Sequence, residues 1–205
     1  MIKKANRQSM KRTLTLIAVA VCMTLAVSAC GPDVPPETTV SQKEQQFNEL
    51  MKRPDIDQVV AQYEDMYAKI RAKVAEIVPV LKWTLVNPMT SASCGNEFSA
   101  VNASLRKDDA EVKSLANWLA EGKVPDAQWG TVQAAVDTIL RSYGFDSGPI
   151  VVKNQSADHY VTFRSPAGSE VTFGSAVNTG LTVRTGCHLT AEAKTRGTPA
   201  PVPTY

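Results

Sequence analysis

The chain predicts an α+β domain: an antiparallel meander of four to five strands with helices packed on one face, opened by a long N-terminal helix. Three observations carry this expectation. Apolar residues recur at helical spacing from Ile56 to Ile77. From Pro149 onward the pattern switches to period two. The period-two runs are separated by loops too short for a crossover, so neighbouring strands must be antiparallel.

A short helix is expected over 42–52, with Phe47, Leu50 and Met51 on its apolar side. Pro54 suits the first turn of the next helix, where a missing N–H costs nothing. There Ile56, Val59, Val60, Tyr63, Tyr67, Ile70, Val74 and Ile77 form a sustained stripe, with Glu64, Asp65, Lys69, Arg71 and Lys73 on the other faces. Such a stripe also suits a coiled-coil partner, but packing on the chain's own sheet is the simpler use. Pro79 ends it. Leu81, Trp83 and Leu85 alternate in a strand over 81–86, closed by Asn87-Pro88. A loop over 91–95 carries Cys94, and the pattern over 97–104 is ambiguous.

Asp108 or Asp109 is positioned to cap a helix running to Glu121, with Val112, Leu115, Ala116 and Leu119 inward and Gly122 at its end. Pro125-Asp126 opens another, reaching about Tyr143, with Trp129, Val132, Val136, Ile139 and Leu140 inward. Strands follow over 149–154, 159–164, 170–175 and 180–187. The expected division is 1–29 as a signal peptide, 30–41 as a lipidated cysteine and flexible tether, 42–192 as one α+β domain, and 193–205 as a Pro-rich disordered tail.

The first 29 residues have the composition of an export signal. Lys3, Lys4, Arg7, Lys11 and Arg12 form a cationic head with no acid, and an apolar run spans Leu14 to Val27. That run is shorter than the roughly 20 residues a spanning helix needs. It ends in Val27-Ser28-Ala29-Cys30. Small residues let a peptidase grip an extended backbone, and a cysteine after the cut supplies a thiol for diacylglycerol. The expectation is therefore cleavage between Ala29 and Cys30 and lipidation of Cys30, with the freed amine open to a third chain such as palmitate. An ordinary secreted protein with a coincidental cysteine is the alternative. Each buried methylene contributes ~0.8 kcal/mol, so two chains hold a protein where one does so marginally. The expected location is the outer face of the cell membrane, by anchor rather than by span.

Removing the signal takes five basic residues and no acid, leaving 17 basic against 20 acidic residues, a formal charge of −3. A weakly acidic body offers no footprint for nucleic acid. Of four cysteines, Cys22 leaves with the signal and Cys30 is lipidated. Cys94 and Cys187 remain in an oxidising compartment and are expected to pair. The disulfide would close a loop of about 94 residues, contributing ~4–5 kcal/mol by loop-closure entropy. It would tie the loop after the first strand to the last strand.

Chemistry leaves few marks. There is no GxSxG, Walker A, GxGxxG or HExxH pattern. The two histidines, His159 and His188, read as solvated strand-edge residues. Glu64-Asp65 and Asp108-Asp109 read as a helix surface and an acidic helix start. Neither a catalytic residue nor a metal site nor a cofactor is expected, and the chain is not expected to be an enzyme. A hydrolase is the weakest of the readings weighed. Trp83, Trp118 and Trp129, with Tyr143 and Phe145, fall near one another on an expected strand and two helices. They read first as core, and second as a groove for an apolar ligand or glycolipid between helices and sheet.

The tetrapeptide VSAC, the Pro/Thr tether, the helix around Tyr63-Glu64-Asp65-Met66, the pair Cys94-Gly95 and the ending Thr185-Gly186-Cys187 together resemble the LppA/LppV group of mycobacterial lipoproteins. The resemblance covers most of the mature chain. It implies an actinobacterial cell-envelope protein with a modified Cys30 and transfers no catalytic residue. Two functional expectations result: a non-enzymatic accessory protein that binds a protein partner, or a carrier of an apolar ligand or glycolipid.

Overall fold

A computed structural model describes residues 40–101 and 109–201. The export signal, Ala29 and Cys30, most of the tether, Asp108 and the last four residues lie outside the described residues.

Helix α1 (Val40–Met51) buries Phe47 and Leu50, and α2 (Ile56–Ile77) follows after a tight corner. Asp55, rather than Pro54, makes the start of α2. Its carboxylate accepts the Gln58 N–H at 2.9 Å while the Gln58 side chain accepts the Asp55 N–H at 3.2 Å. This reciprocal cap satisfies two donors that helix geometry leaves orphaned, and such a cap contributes ~1 kcal/mol. Pro54 stands one residue outside. Ile56, Val59, Tyr63, Met66, Tyr67, Ile70 and Val74 form the buried stripe.

Among the described residues, nine strands form the sheet: β1 (Trp83–Asn87), β2 (Thr90–Ala92), β3 (Ala110–Ser114), β4 (Asn117–Glu121), β5 (Ile150–Gln155), β6 (Asp158–Arg164), β7 (Glu170–Ser175), β8 (Asn178–Arg184) and β9 (His188–Leu189). The main order is β1-β4-β8-β7-β6-β5, antiparallel throughout. β3 and β4 follow one another along β8, meeting it at Ser114↔Arg184 and Trp118↔Leu181. β2 pairs with β3 as β1 pairs with β4, and β9 adds to β3.

The meander β5–β8 and the Trp83 strand are as expected, but the sheet is larger than four to five strands. Beside the short strands β2 and β9, the difference is residues 110–121, which are two strands and not a capped helix. Ala110 and Val112 are buried while Glu111 and Lys113 alternate with them, a period-two pattern. Glu111 and Lys113 then share a face and pair at 2.9 Å. The β7–β8 turn is at Ala176-Val177, so Asn178 and Thr179 already belong to β8.

Helix α3 (Asp126–Arg141) packs beside α2, and both helices contribute to the main core. That core holds Met66, Tyr67, Ile70, Leu140, Phe145, Phe163, Phe173 and Leu181, all fully buried. A second, smaller core gathers Phe47, Leu50, Phe98, Val101, Val112, Cys187, Leu189 and Ala193.

The chain does not leave the fold at residue 192. Thr190 caps α4 (Ala191–Arg196) by accepting the Ala193 N–H, and Gly197 closes it in a left-handed conformation. Asp109, 2% exposed, accepts the Ala200 N–H at 2.7 Å and pairs with Arg196, while Lys43 donates to the Ala200 carbonyl at 2.8 Å. Residues 193–201 are thus clasped to α1 and β3. The short helix lacks an apolar period, since only Ala193 is buried.

Candidate functional site

The disulfide is present between Cys94, in the loop after β2, and Cys187, between β8 and β9, with Cα atoms 5.2 Å apart. Cys187 lies in the second core. Around it the chain is tightly drawn. Gly186 donates to Ser169 Oγ at 2.9 Å, and Arg53 Nη1 donates to the carbonyls of Ala167 and Cys187 at 3.0 and 3.3 Å. One guanidinium therefore joins the α1–α2 corner, the β6–β7 turn and the disulfide segment.

Both histidines are buried, in contrast to the solvated positions expected for them. His188, 2% exposed, meets the Pro54 carbonyl through Nδ1 at 2.9 Å, and its Nε2 has no hydrogen-bond partner. Burial holds its pKa below the ordinary histidine value; the Pro54 carbonyl opposes that, and the nearby charges of Arg53 and Lys194 reinforce it. His159, 7% exposed, stacks on Trp129 with ring centroids 4.6 Å apart. Its Nδ1 meets Asn154 Oδ1 at 2.8 Å and its Nε2 meets Asp126 Oδ1 at 3.2 Å. Asp126 also accepts the Ser156 hydroxyl and the Ala157 N–H. The Ala157 N–H is the foremost cause of the lowered pKa of Asp126, ahead of Ser156 and His159. Ser156 is bound to the carboxylate and not to the imidazole, so the arrangement lacks the nucleophile–base contact of covalent catalysis. It clamps the β5–β6 turn, where Ala157 has φ 59°, to the start of α3.

One described carboxylate of each sequence pair is similarly occupied. Asp65 accepts from Lys69 at 2.7 Å and from the Tyr143 hydroxyl, and Asp109 holds the C-terminal segment. No group of three or more metal-ligating side chains occurs among the described residues, and no described helix is long and apolar enough to cross a membrane.

The three tryptophans pack against the same core from different depths. Trp129 on α3, 5% exposed, lies against Phe173 at 5.5 Å between ring centroids. Trp83 on β1 and Trp118 on β4 are half-buried. Trp118 is therefore a strand residue rather than a helical one. The register Trp83↔Ala120, Leu85↔Trp118 and Trp118↔Leu181 puts Trp83 and Trp118 on one face of adjacent strands, with buried Ala120 and Leu181. Helix α2 covers them. The Trp83 indole N–H donates to the Arg71 carbonyl at 3.2 Å. The Arg71 guanidinium lies 3.8 Å from the Trp118 ring centroid and 5.4 Å from that of Tyr67. Sequence reasoning found both indoles but missed Arg71, because its place over Trp118 depends on β4 being a strand.

Two surface features complete the inventory. A groove of about 600 Å³ lies between α1 and the turn at Glu97-Phe98, lined by Gln42, Gln45, Asn48, Glu49 and Lys52. Gln46 holds that turn by donating to the Glu97 carbonyl and accepting the Ala100 N–H. At the opposite edge of the sheet from β1, strand β5 exposes Ile150, Val151 and Val152.

The sequence pattern of the family described as "LppA: Lipoprotein confined to pathogenic Mycobacterium" matches residues 32–191. Among solved structures, the crystal structure of the lipoprotein LppA from Mycobacterium tuberculosis is similar with a TM-score of 0.53 at 12% identity, covering 79% of this chain and 94% of that one. A DUF4853 family protein from Actinomyces odontolyticus is similar at TM-score 0.49 and 12% identity, covering 68% of this chain and 71% of that one. No curated protein matches the chain. At such identity the likeness speaks for the fold alone, whereas the pattern match spans most of the sequence: the chain belongs to the LppA family of lipoproteins.

Proposed function

We propose that this protein is a lipid-anchored accessory protein of the cell envelope that binds a protein partner through its surface and does not turn over a substrate. Cys30 carries the acyl chains and the tether holds the domain on the outer face of the membrane. The observation that carries the surface reading is the packing of the layer between helices and sheet. Tyr67, Met66, Phe145, Phe163 and Phe173 occupy it, fully buried, and Trp129 closes onto Phe173 and His159. Side chains already fill the space a carried lipid would need, so contact with other molecules falls to the outside. Family membership supports the lipoprotein part of the reading. The engagement of both histidines, Asp65 and Asp109 in structural contacts supports the non-enzymatic part.

Mass spectrometry under non-denaturing conditions tests it, on the full chain with Cys30→Ala so that no covalent acyl group confuses the mass. The expected result is the mass of the protein alone. A stoichiometric co-purified lipid or glycolipid would replace this reading with that of a carrier, using the half-buried Trp83 and Trp118 as its entrance.

A further inference from the structure

We propose that Arg71 and Trp118 form a binding site for an oxyanion, the carboxylate or phosphate group of a small ligand. Arg71 is a cation without an ion-pair partner among the described residues. Arg71 lies on α2 with its guanidinium against two aromatic rings, and none of the ion pairs among the described residues includes it. The acid that acts on it through space is Glu64, two turns earlier on the same helix and exposed to solvent. Burial disfavours the charge of Arg71, so the protein holds a partly desolvated cation on π faces alone.

The second observation is independent of charge. Arg71 Nη1 and Trp118 Nε1 are both buried, and neither has a hydrogen-bond partner. Only four side-chain atoms among the described residues share that condition, and two of them belong to this one stacked pair. Both are donors, since guanidinium and indole nitrogens cannot accept. The neighbouring Trp83 indole N–H is already spent on the Arg71 carbonyl. A ligand here must therefore supply acceptors and negative charge. A planar carboxylate, or one edge of a phosphate, offers two oxygens at the spacing of a guanidinium fork. A neutral polyol would bring donors that find no acceptor among these side-chain groups.

The position suits a small ligand. β1 is the edge strand of the sheet, so the half-buried Trp83 stands at its open margin with the half-buried Trp118 one strand further in. Arg71 is the adjustable member, because its long side chain can swing off the indole and uncover Nε1 while keeping the guanidinium within reach of the same oxyanion. The exposed indole face then takes the apolar part of the ligand. This site stands apart from the surface reading above and neither requires nor excludes a protein partner.

The test is a titration of the full chain, ¹⁵N-labelled in detergent micelles, observed through the indole N–H signals of Trp83, Trp118 and Trp129. Acetate and inorganic phosphate are the probes, with ionic strength held constant by chloride. The expected result is a saturable shift of the Trp118 indole signal with one or both probes. Arg71→Gln should weaken it at least tenfold while the Trp129 signal stays in place as a report on the fold. Arg71→Lys, which keeps the charge and loses the fork, should fall between. A response to acetate alone identifies a carboxylate ligand, and one to phosphate alone a phosphate ligand. A wild-type Trp118 signal that moves no more than with chloride overturns the proposal. So does a saturable shift that Arg71→Gln leaves unchanged.

Discussion

Among the described glycines, Gly186 is the one where an added carbon would meet the nearest obstacle. A Cβ built there lies 1.9 Å from the Ala167 carbonyl oxygen and 2.9 Å from its carbonyl carbon. The obstacle is backbone, so no rotamer change relieves it. Gly186→Ala is expected to cost at least ~2 kcal/mol, read as a lower urea midpoint with an unchanged slope. A loss below about 0.5 kcal/mol would contradict the close approach, being no more than a surface substitution costs. The Thr185-Gly186-Cys187 ending that marked the family resemblance thus has a steric meaning. His188, two residues on, makes the fold sensitive to acid. Its pKa is lowered in the folded state, so the unfolded chain binds the proton more readily. Its contribution is fully present above the unfolded value of about 6.5 and declines as pH falls from there toward the folded value. Thermal melts between pH 7.5 and 5 should show a decline that His188→Asn reduces, since the amide can still donate to the Pro54 carbonyl without charging. An identical decline in the variant would assign the acid response elsewhere. Neither histidine's burial was legible from position alone, because His159 and His188 are enclosed by Trp129 and Pro54, residues distant in sequence.

At the scale of elements, the disulfide holds the second core rather than the first. Cys187 is one of its members and Cys94 packs against it, alongside α1 and α4. Replacing both cysteines by serine should lower Tm by roughly 10 °C, from a stability loss of ~2–5 kcal/mol. Amide exchange should rise first in α1, β9 and α4, while α2, α3 and β6–β8 remain protected. Uniform acceleration would mean the two cores unfold as one unit. The helices α2 and α3 and the strands β5–β8 were legible because each repeats its period long enough to exclude the other. Residues 110–121 were not. Val112, Leu115, Ala116 and Leu119 fit a helical face by coincidence, and Ala110 and Val112 fit a strand equally well. What decided between them is remote: β1 and β8 both needed a partner, and β4 lies between them. The same remoteness hid Arg71, whose aromatic neighbour could be placed only after β4 was.

For the whole molecule, the anchor remains the most direct expectation. With Cys30→Ala the chain should leave the membrane fraction and appear in the medium, while the circular dichroism of the domain stays the same. Retention in the membrane would refute the anchor. The overall plan was readable because α1 and α2 open the fold and the meander β5–β8 follows α3 without interruption. The boundary at residue 192 was misplaced because the clasp that extends the fold is polar. Asp109, Arg196 and Lys43 hold the chain as far as Ala200 without any apolar signal.

That clasp fixes how the molecule responds to being pulled. Lys43 stands 13 residues after Cys30 and is bonded to Ala200, so the two ends of the fold share one corner. Tension between a membrane anchor and anything gripping the C-terminus would load Lys43–Ala200 and then Asp109, peeling the tail and α4 one contact at a time. The peeling strips β9 from β3 and then reaches a covalent stop at Cys187–Cys94 before it engages β8. Strands β3–β8 lie inside the disulfide loop and so outside the line of force, and the protein yields at its hem while that fabric stays whole.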